Sequence, residues 1–188
     1  MRDSKKDLLL AVDFQNVYLP GEEWACPGSI KAIENTLKII RAKNAPDVLI
    51  TRYMAPADPR GCWVTYNREY KEINENAWYC ELADGIRQLS ERWPVVDKST
   101  FSSLKSEAVL QALEGKTAIV LTGVVAECCV LATMMEAIDL GIQVVYLYDC
   151  VAGQTPHKEA CARQIADDFS PIHTLVMSSE DYLREIGE

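Results

Sequence analysis

Six short apolar runs, separated by segments of helical spacing, constrain this chain more than any other feature. Leu8 to Phe14 is continuous and apolar apart from one acid near its end, the pattern of a strand buried on both faces. Further runs span Asp47 to Met54, Val95-Val96, Thr117 to Val124, Ile142 to Tyr148 and His173 to Met177. Between them, Gly28 to Lys43 carries Ile30, Ile33, Leu37 and Ile40 on one helical face. Helices are also expected over Ala83 to Trp93, Leu104 to Leu113, Glu127 to Leu140 and Pro156 to Asp168, with a last short one capped by Ser178 or Ser179. Ala55 to Ala77, broken by Pro56, Pro59 and Gly61, reads as irregular. Strands alternating with helices form β-α-β units. The expected fold is therefore α/β: a three-layer α/β/α sandwich around a doubly wound, mainly parallel six-stranded sheet, in one domain over residues 1–188.

Such a sheet offers ligands the crevice beyond its C-terminal strand ends. Asp13 stands at the end of the first run, Arg52 and Tyr53 near the end of the second, and Asp97-Lys98 after the third. The fourth is followed by the pair Cys128-Cys129, and the fifth by Asp149-Cys150. A carboxylate, an ammonium and a thiol at one edge form a working set for nucleophilic catalysis. A thiol is a weak nucleophile until ionised, and a helix N-terminus and a lysine both favour the thiolate. The plainer readings are that the acids cap neighbouring helices and that the cysteines pack. The adjacent cysteines leave three options: a redox couple, two packing residues, or one nucleophile beside a bystander.

Composition narrows the partners. The formal net charge of -9 argues against nucleic acid or an anionic membrane. No stretch is long and apolar enough to span a bilayer. The charged stretch Met1 to Asp7 does not read as a secretory leader. Seven scattered cysteines without a Cys-x-x-Cys pair suit free thiols and a cytoplasmic setting. No glycine-rich phosphate loop follows the first strand, so no nucleotide cofactor is expected.

Three segments carry a resemblance: LLLAVDFQNVYLPG (8–21), VVDKSTFSSL (95–104) and VLTGVVAECCVLATMMEAIDLGIQVVYLYDC (120–150). Together, and in this order, they resemble the signature segments of the isochorismatase-like cysteine hydrolases. That family includes nicotinamidases, N-carbamoylsarcosine and ureidoacrylate amidohydrolases, maleamate amidases and biuret hydrolases. The resemblance implies a triad of Asp13, Lys98 and Cys129. Cys129 has Val130 next, Thr133 four residues on and Ala137 eight on, as the family's nucleophile does; Cys128 does not fit that register. Cys128 is then expected to turn about 100° away, into the surrounding core. The resemblance further implies a cis peptide between Val124 and Val125, with the N–H groups of Val125 and Cys129 forming an oxyanion hole. Ala126 departs from the Thr or Ser common at its position.

Nicotinamidases carry an Asp-x-His…His metal site after the second strand, whereas residues 51–60 here hold no histidine. His157 and His173 read as structural, and neither a metal nor another cofactor is expected. The isochorismatases proper act on a vinyl ether and lack the cysteine. The expectation is a metal-independent hydrolase that cleaves a C–N bond of a small amide or ureido compound through a thioester on Cys129. The alternatives are another small substrate on the same scaffold, or a non-catalytic oligomeric scaffold. A homo-oligomer, dimer or tetramer, is expected. Gln15, Tyr18, Trp24, Arg52 and Trp63 are the candidate pocket residues. The aromatics, with Tyr66 and Trp78, could equally anchor loops or an interface. Arg52 and Arg60 could clamp a substrate carboxylate or pair with local acids such as Asp58.

Overall fold

The sheet is built outward from β1 (Asp7–Val12), every residue of which is buried. The computed structural model describes residues 2–188; Met1, at the head of the charged N-terminal stretch, lies outside them. The other strands are β2 (Asp47–Tyr53), β3 (Val95–Lys98), β4 (Ala118–Val124), β5 (Gln143–Ala152) and β6 (Thr174–Met177). All neighbouring strands pair in parallel, in the order β3-β2-β1-β4-β5-β6. The three-layer α/β/α expectation thus holds, and the sheet is wholly parallel.

Side-chain alternation divides β1 between two cores. Leu9 and Ala11 face one side, with Ile33, Leu37, Ile86 and Tyr182. Leu8, Leu10 and Val12 face the other, with Val109, Val130, Met134 and Ala166. Covering both faces is what a parallel sheet requires, because each crossover lays a helix on one side. The strand order reverses between β1 and β4, so the crevice for a ligand opens beyond Val12 and Val124.

Several local expectations are corrected. The helix Ser29–Ile40 buries Ala32, Ile33, Thr36, Leu37 and Ile40, but Ile30 is 51% exposed. Gly28 lies against Ala152, which sets the helix entry so that Ser29 and Ala32 turn inward and Ile30 outward. The stretch 55–77, expected to be irregular, contains a helix, Cys62–Glu69, and a one-turn helix, Lys71–Asn74, and a second one-turn helix, Ala77–Cys80, begins at its end. The helix buries no residue fully, which is why no strong apolar period announces it. Strand five does not stop at Tyr148. Leu121 pairs with Tyr146, but Gly123 pairs with Val151, so β5 bulges and resumes. In the bulge, Asp149 accepts from Ser179 N–H (2.7 Å), Ser179 Oγ (2.6 Å) and Asn35 Nδ2 (3.2 Å). These bonds compensate the displaced segment. The helix expected from Glu127 opens as a wide turn over Ala126–Val130, closed by Val130 N–H to Val125 O (3.2 Å), before continuing as Leu131–Asp139. Among the described residues, no helix is long and apolar enough to cross a membrane.

Gly123 sets the contact between the two central strands. Its φ is +130°, and a Cβ there would lie 2.2 Å from the carbonyl oxygen of Val12. Gly123→Ala is therefore expected to destabilise the fold by about 2–3 kcal/mol through overpacking against backbone. Urea unfolding of the variant measures this, and a stability equal to that of the parent would show that the strands can part without cost.

Candidate active site

The end of β1 places a carboxylate where a strand would otherwise continue. Asp13 adopts φ +51°, a left-handed conformation that aspartate tolerates better than most residues. The turn is closed by Gln15 N–H to Asp13 O at 2.6 Å. Asp13 is fully buried, and its Oδ1 accepts from Thr51 Oγ1 of β2 (2.8 Å). Its Oδ2 lies 2.6 Å from Lys98 Nζ, and both side chains are essentially inaccessible. Lys98, the last residue of β3, crosses the Tyr53 ring of β2, with Nζ 5.8 Å from the ring centroid.

Lys98 donates to the carbonyls of Thr100 (2.8 Å) and Phe101 (3.1 Å). The third ammonium proton is left for Asp13 Oδ2 at 2.6 Å, and Oδ2, with two lone pairs, keeps acceptor capacity. Burial alone would lower the Lys98 pKa, but Asp13 and Cys129 outweigh it and raise the value. The structure thus brings Asp13, Lys98 and Cys129 together.

The Cys129 thiol faces both charges. Burial pushes its pKa well above the ordinary value and the Asp13 charge adds to this, while Lys98 opposes. The resting sulfur is consequently a neutral thiol. Desolvation thus acts against the thiolate that a helix N-terminus and a lysine favour, and outweighs the lysine. Cys129 is held from below by Thr133, whose Oγ1 donates to Cys129 O (2.7 Å) and accepts from Ser103 N–H (3.0 Å). One hydroxyl thus ties the cysteine turn to the loop that satisfies Lys98. The Val124–Val125 peptide is cis, and Val125 is buried beside the thiol.

A cavity of about 170 Å³ opens onto Cys129. Tyr18, Trp24, Tyr66, Tyr70 and Phe101 form its aromatic wall, and Val125, Cys128 and Gln154 complete it. Tyr18 and Trp24 are thus pocket residues, as anticipated. Trp63 instead stands behind the wall, 5.1 Å from the Tyr66 ring and 5.3 Å from Phe101. Gln15 offers nothing to the cavity. Its Nε2 donates to Tyr53 O and Cys80 O (both 3.0 Å) and its Oε1 accepts from Tyr53 N–H (2.8 Å), so the whole amide braces the strand ends.

Arg52 points away and makes two hydrogen bonds to Asp97 (2.7 and 2.8 Å), since alternate residues of a strand face opposite sides. Arg60 is exposed beside Asp58 (3.5 Å). Trp78 is 48% exposed and lies outside the cavity lining. Cys128 does not turn wholly into the core; it is half-buried and lines the cavity beside the buried Cys129, because the wide turn leaves both thiols facing it. His157 and His173 are exposed. Among the described residues, no three of His, Cys, Asp and Glu are grouped as a metal site would need.

Tyr70, Phe101 and Gln154 were absent from the expected pocket. The signal for the first was present in the spacing Trp63, Tyr66, Tyr70 (i, i+3, i+7), one face of a helix. Nothing local marks Phe101 or Gln154, which reach the cavity from the loops after β3 and β5.

Residues 7–176 match the family profile described as Isochorismatase domain. Among solved structures, the chain is similar to a cysteine hydrolase from Pseudomonas syringae pv. phaseolicola 1448A, with 17% identity over 98% of this chain and 94% of that one and a TM-score of 0.82. It is similar to N-carbamoylsarcosine amidase from Thermoplasma acidophilum, with 21% identity over 93% and 96% and a TM-score of 0.71. It is also similar to a pyrazinamidase/nicotinamidase from Streptococcus mutans UA159, with 15% identity over 91% and 99% and a TM-score of 0.74. At these identities the likeness is one of fold. No curated protein matches the chain.

Burial raises the pKa of three core thiols: Cys26 to about 12, and Cys129 and Cys150 well above the ordinary value. In the unfolded chain they ionise near the ordinary value of 9.0. A pKa raised by folding gives stability that is complete below the unfolded value and is lost as pH rises toward the folded one. The unfolding free energy should thus fall above about pH 9, and Cys129→Ala should reduce that slope by about 1.4 kcal/mol per pH unit. Urea titrations at stepped alkaline pH test this, and an unaltered slope in Cys129→Ala would contradict the burial of that thiol.

Proposed function

The chain belongs to the isochorismatase family, and from that premise we propose that it is a cysteine hydrolase that cleaves a C–N bond of a small amide or ureido compound. The observation that carries this reading is the buried Asp13–Lys98 pair set beside the Cys129 thiol at the floor of a cavity. The named amidases of the same fold agree with it.

Since the thiol rests neutral, its proton leaves as the sulfur attacks. Asp13 Oδ2 receives the proton while Sγ bonds to the substrate carbonyl carbon. The carbonyl oxygen becomes an oxyanion, for which the N–H groups of Val125 and Cys129 are the proposed donors. Asp13 returns the proton to the leaving nitrogen, the C–N bond breaks, and a thioester on Cys129 remains. Water, losing its proton to Asp13, attacks the thioester. The C–S bond breaks, the proton passes back to sulfur, and the acid departs. Lys98 supplies the positive charge that a buried carboxylate requires throughout. Cys128, at the rim, takes no part.

A screen of small amides and ureido acids, read as ammonia release, tests the function. Cys129→Ala should abolish turnover, and Asp13→Asn should reduce it by at least ~10²-fold, the scale of a general base. Cys128→Ala should keep most activity, and a thioester adduct trapped with a slow substrate should map to Cys129 by mass spectrometry. An adduct on Cys128, or full activity in folded Cys129→Ala, would sink the assignment.

The donor set is the basis of a separate expectation. With no histidine in residues 51–60, turnover should survive exhaustive chelation. Loss with EDTA and return with Zn²⁺ or Fe²⁺ would overturn metal independence.

A further inference from the structure

We infer that the cavity selects an electrically neutral amide and rejects carboxylate-bearing ones, with the Gln154 side-chain amide as the polar group that reads the substrate beyond its reacting carbonyl. The inference rests on Cys129 being the attacking thiol. It specifies the substrate class that the proposed reaction leaves open.

The lining supports it first. Every described residue lining the cavity is uncharged in neutral water: five aromatic side chains, one valine, two thiols and one amide. Burial holds the Tyr18 phenol well above its ordinary pKa and the Tyr66 phenol at about 12, so both remain protonated. A cavity of about 170 Å³ walled by rings fits a small flat molecule, one ring or one planar ureido group in size. A carboxylate placed there would lose its water without gaining a cation.

The cations nearby are already committed. Lys98 is spent on Asp13 and two carbonyls. Arg52 is locked on Asp97 and lines a different cleft. Lys158, on the helix after Gln154, donates to Gln154 Oε1 (2.9 Å) and lies 3.7 Å from Glu127 Oε1. Burial and then the Glu127 carboxylate raise the pKa of the Cys128 thiol, and the Lys158 charge, which lowers it, is the weaker influence. The overall charge of -9 adds repulsion of anions at longer range.

Gln154 is held at both ends of the residue. Its N–H donates to Glu127 Oε1 (3.3 Å), and its Oε1 is taken by Lys158. That leaves the Nε2 donors free for a carbonyl or ring-nitrogen acceptor on the ligand. A fixed donor without charge favours a neutral acceptor.

Alkylation by two reagents of the same size but different charge tests this without a known substrate. Iodoacetamide is itself a neutral primary amide, and iodoacetate is its anionic counterpart. Exposed Cys62 and Cys161 serve as references in the same molecule. Tandem mass spectrometry should give an iodoacetamide-to-iodoacetate rate ratio at Cys129 at least about tenfold above that at Cys62 and Cys161, a carboxylate being the costlier group to desolvate. Gln154→Arg should bring the ratio down toward the reference. A ratio at Cys129 equal to or below the reference, or no alkylation of Cys129 by iodoacetamide in the native protein, would overturn the inference.

The amide screen supplies the second arm. Among amides that differ only by a carboxylate against its methyl ester, the neutral member should have the higher kcat/KM. Gln154→Leu should raise KM for that member about tenfold, one hydrogen bond's worth, with kcat little changed. Turnover of the carboxylate form as fast as the ester removes this inference and leaves the hydrolase reading intact. The expected alkylation ratio with no amide hydrolysed does the reverse.

Discussion

A carboxylate and an ammonium 2.6 Å apart and shut away from water are the constraint on which the rest of this structure depends. Taking two such charges out of water costs several kcal/mol per ion, and mutual attraction repays it only where the remaining donors and acceptors are also satisfied. The surroundings of Asp13 and Lys98 meet that condition. Thr51 bonds one carboxylate oxygen, the carbonyls of Thr100 and Phe101 take two lysine protons, and Thr133 ties the lysine loop to the cysteine turn through Ser103. Three strands, β1, β2 and β3, and the segment after β4 are thereby held in one register by polar contacts, in addition to their apolar cores.

The pair also defines what the neighbouring thiol can be. A carboxylate raises the Cys129 pKa and an ammonium lowers it, and in a dry site burial decides the balance in favour of the neutral form. A neutral sulfur beside a carboxylate with spare acceptor capacity suits a mechanism in which proton transfer and attack occur together. The site's net neutrality extends outward, since the aromatic and amide lining adds no charge.

Two kinds of structure meet at the cavity. Its floor, Val125 and Cys129, follows directly on the end of β4, with Gly123 allowing β1 and β4 their close approach. Its wall comes from connecting segments, above all the helix Cys62–Glu69 and the loops after β3 and β5. The wall residues Tyr70 and Phe101 are partly exposed, 38% and 44%, so the side of the site that meets a ligand is the less tightly packed one. The proposed chemistry would then sit on the rigid part and the proposed selection on the adaptable part.

The sequence pattern by itself determined the six strands and placed Asp13 and Lys98 at strand ends, and the resemblance to known signature segments singled out Cys129 over Cys128 as the expected nucleophile through its spacing to Val130, Thr133 and Ala137. These were legible because strand and helix periods are local properties, and because the signature segments span whole strand-to-loop junctions. The tertiary structure alone decided that Arg52 turns to Asp97, that Gln15 spends its amide on backbone, that Cys128 reaches the cavity rim, and that Gln154 and Phe101 line it. It also decided that burial, more than the nearby charges, raises the Cys129 pKa. Each of these depends on which partner lies across a gap from a residue distant in the chain, and on how much water that meeting excludes, and neither quantity is written in a local pattern of side chains.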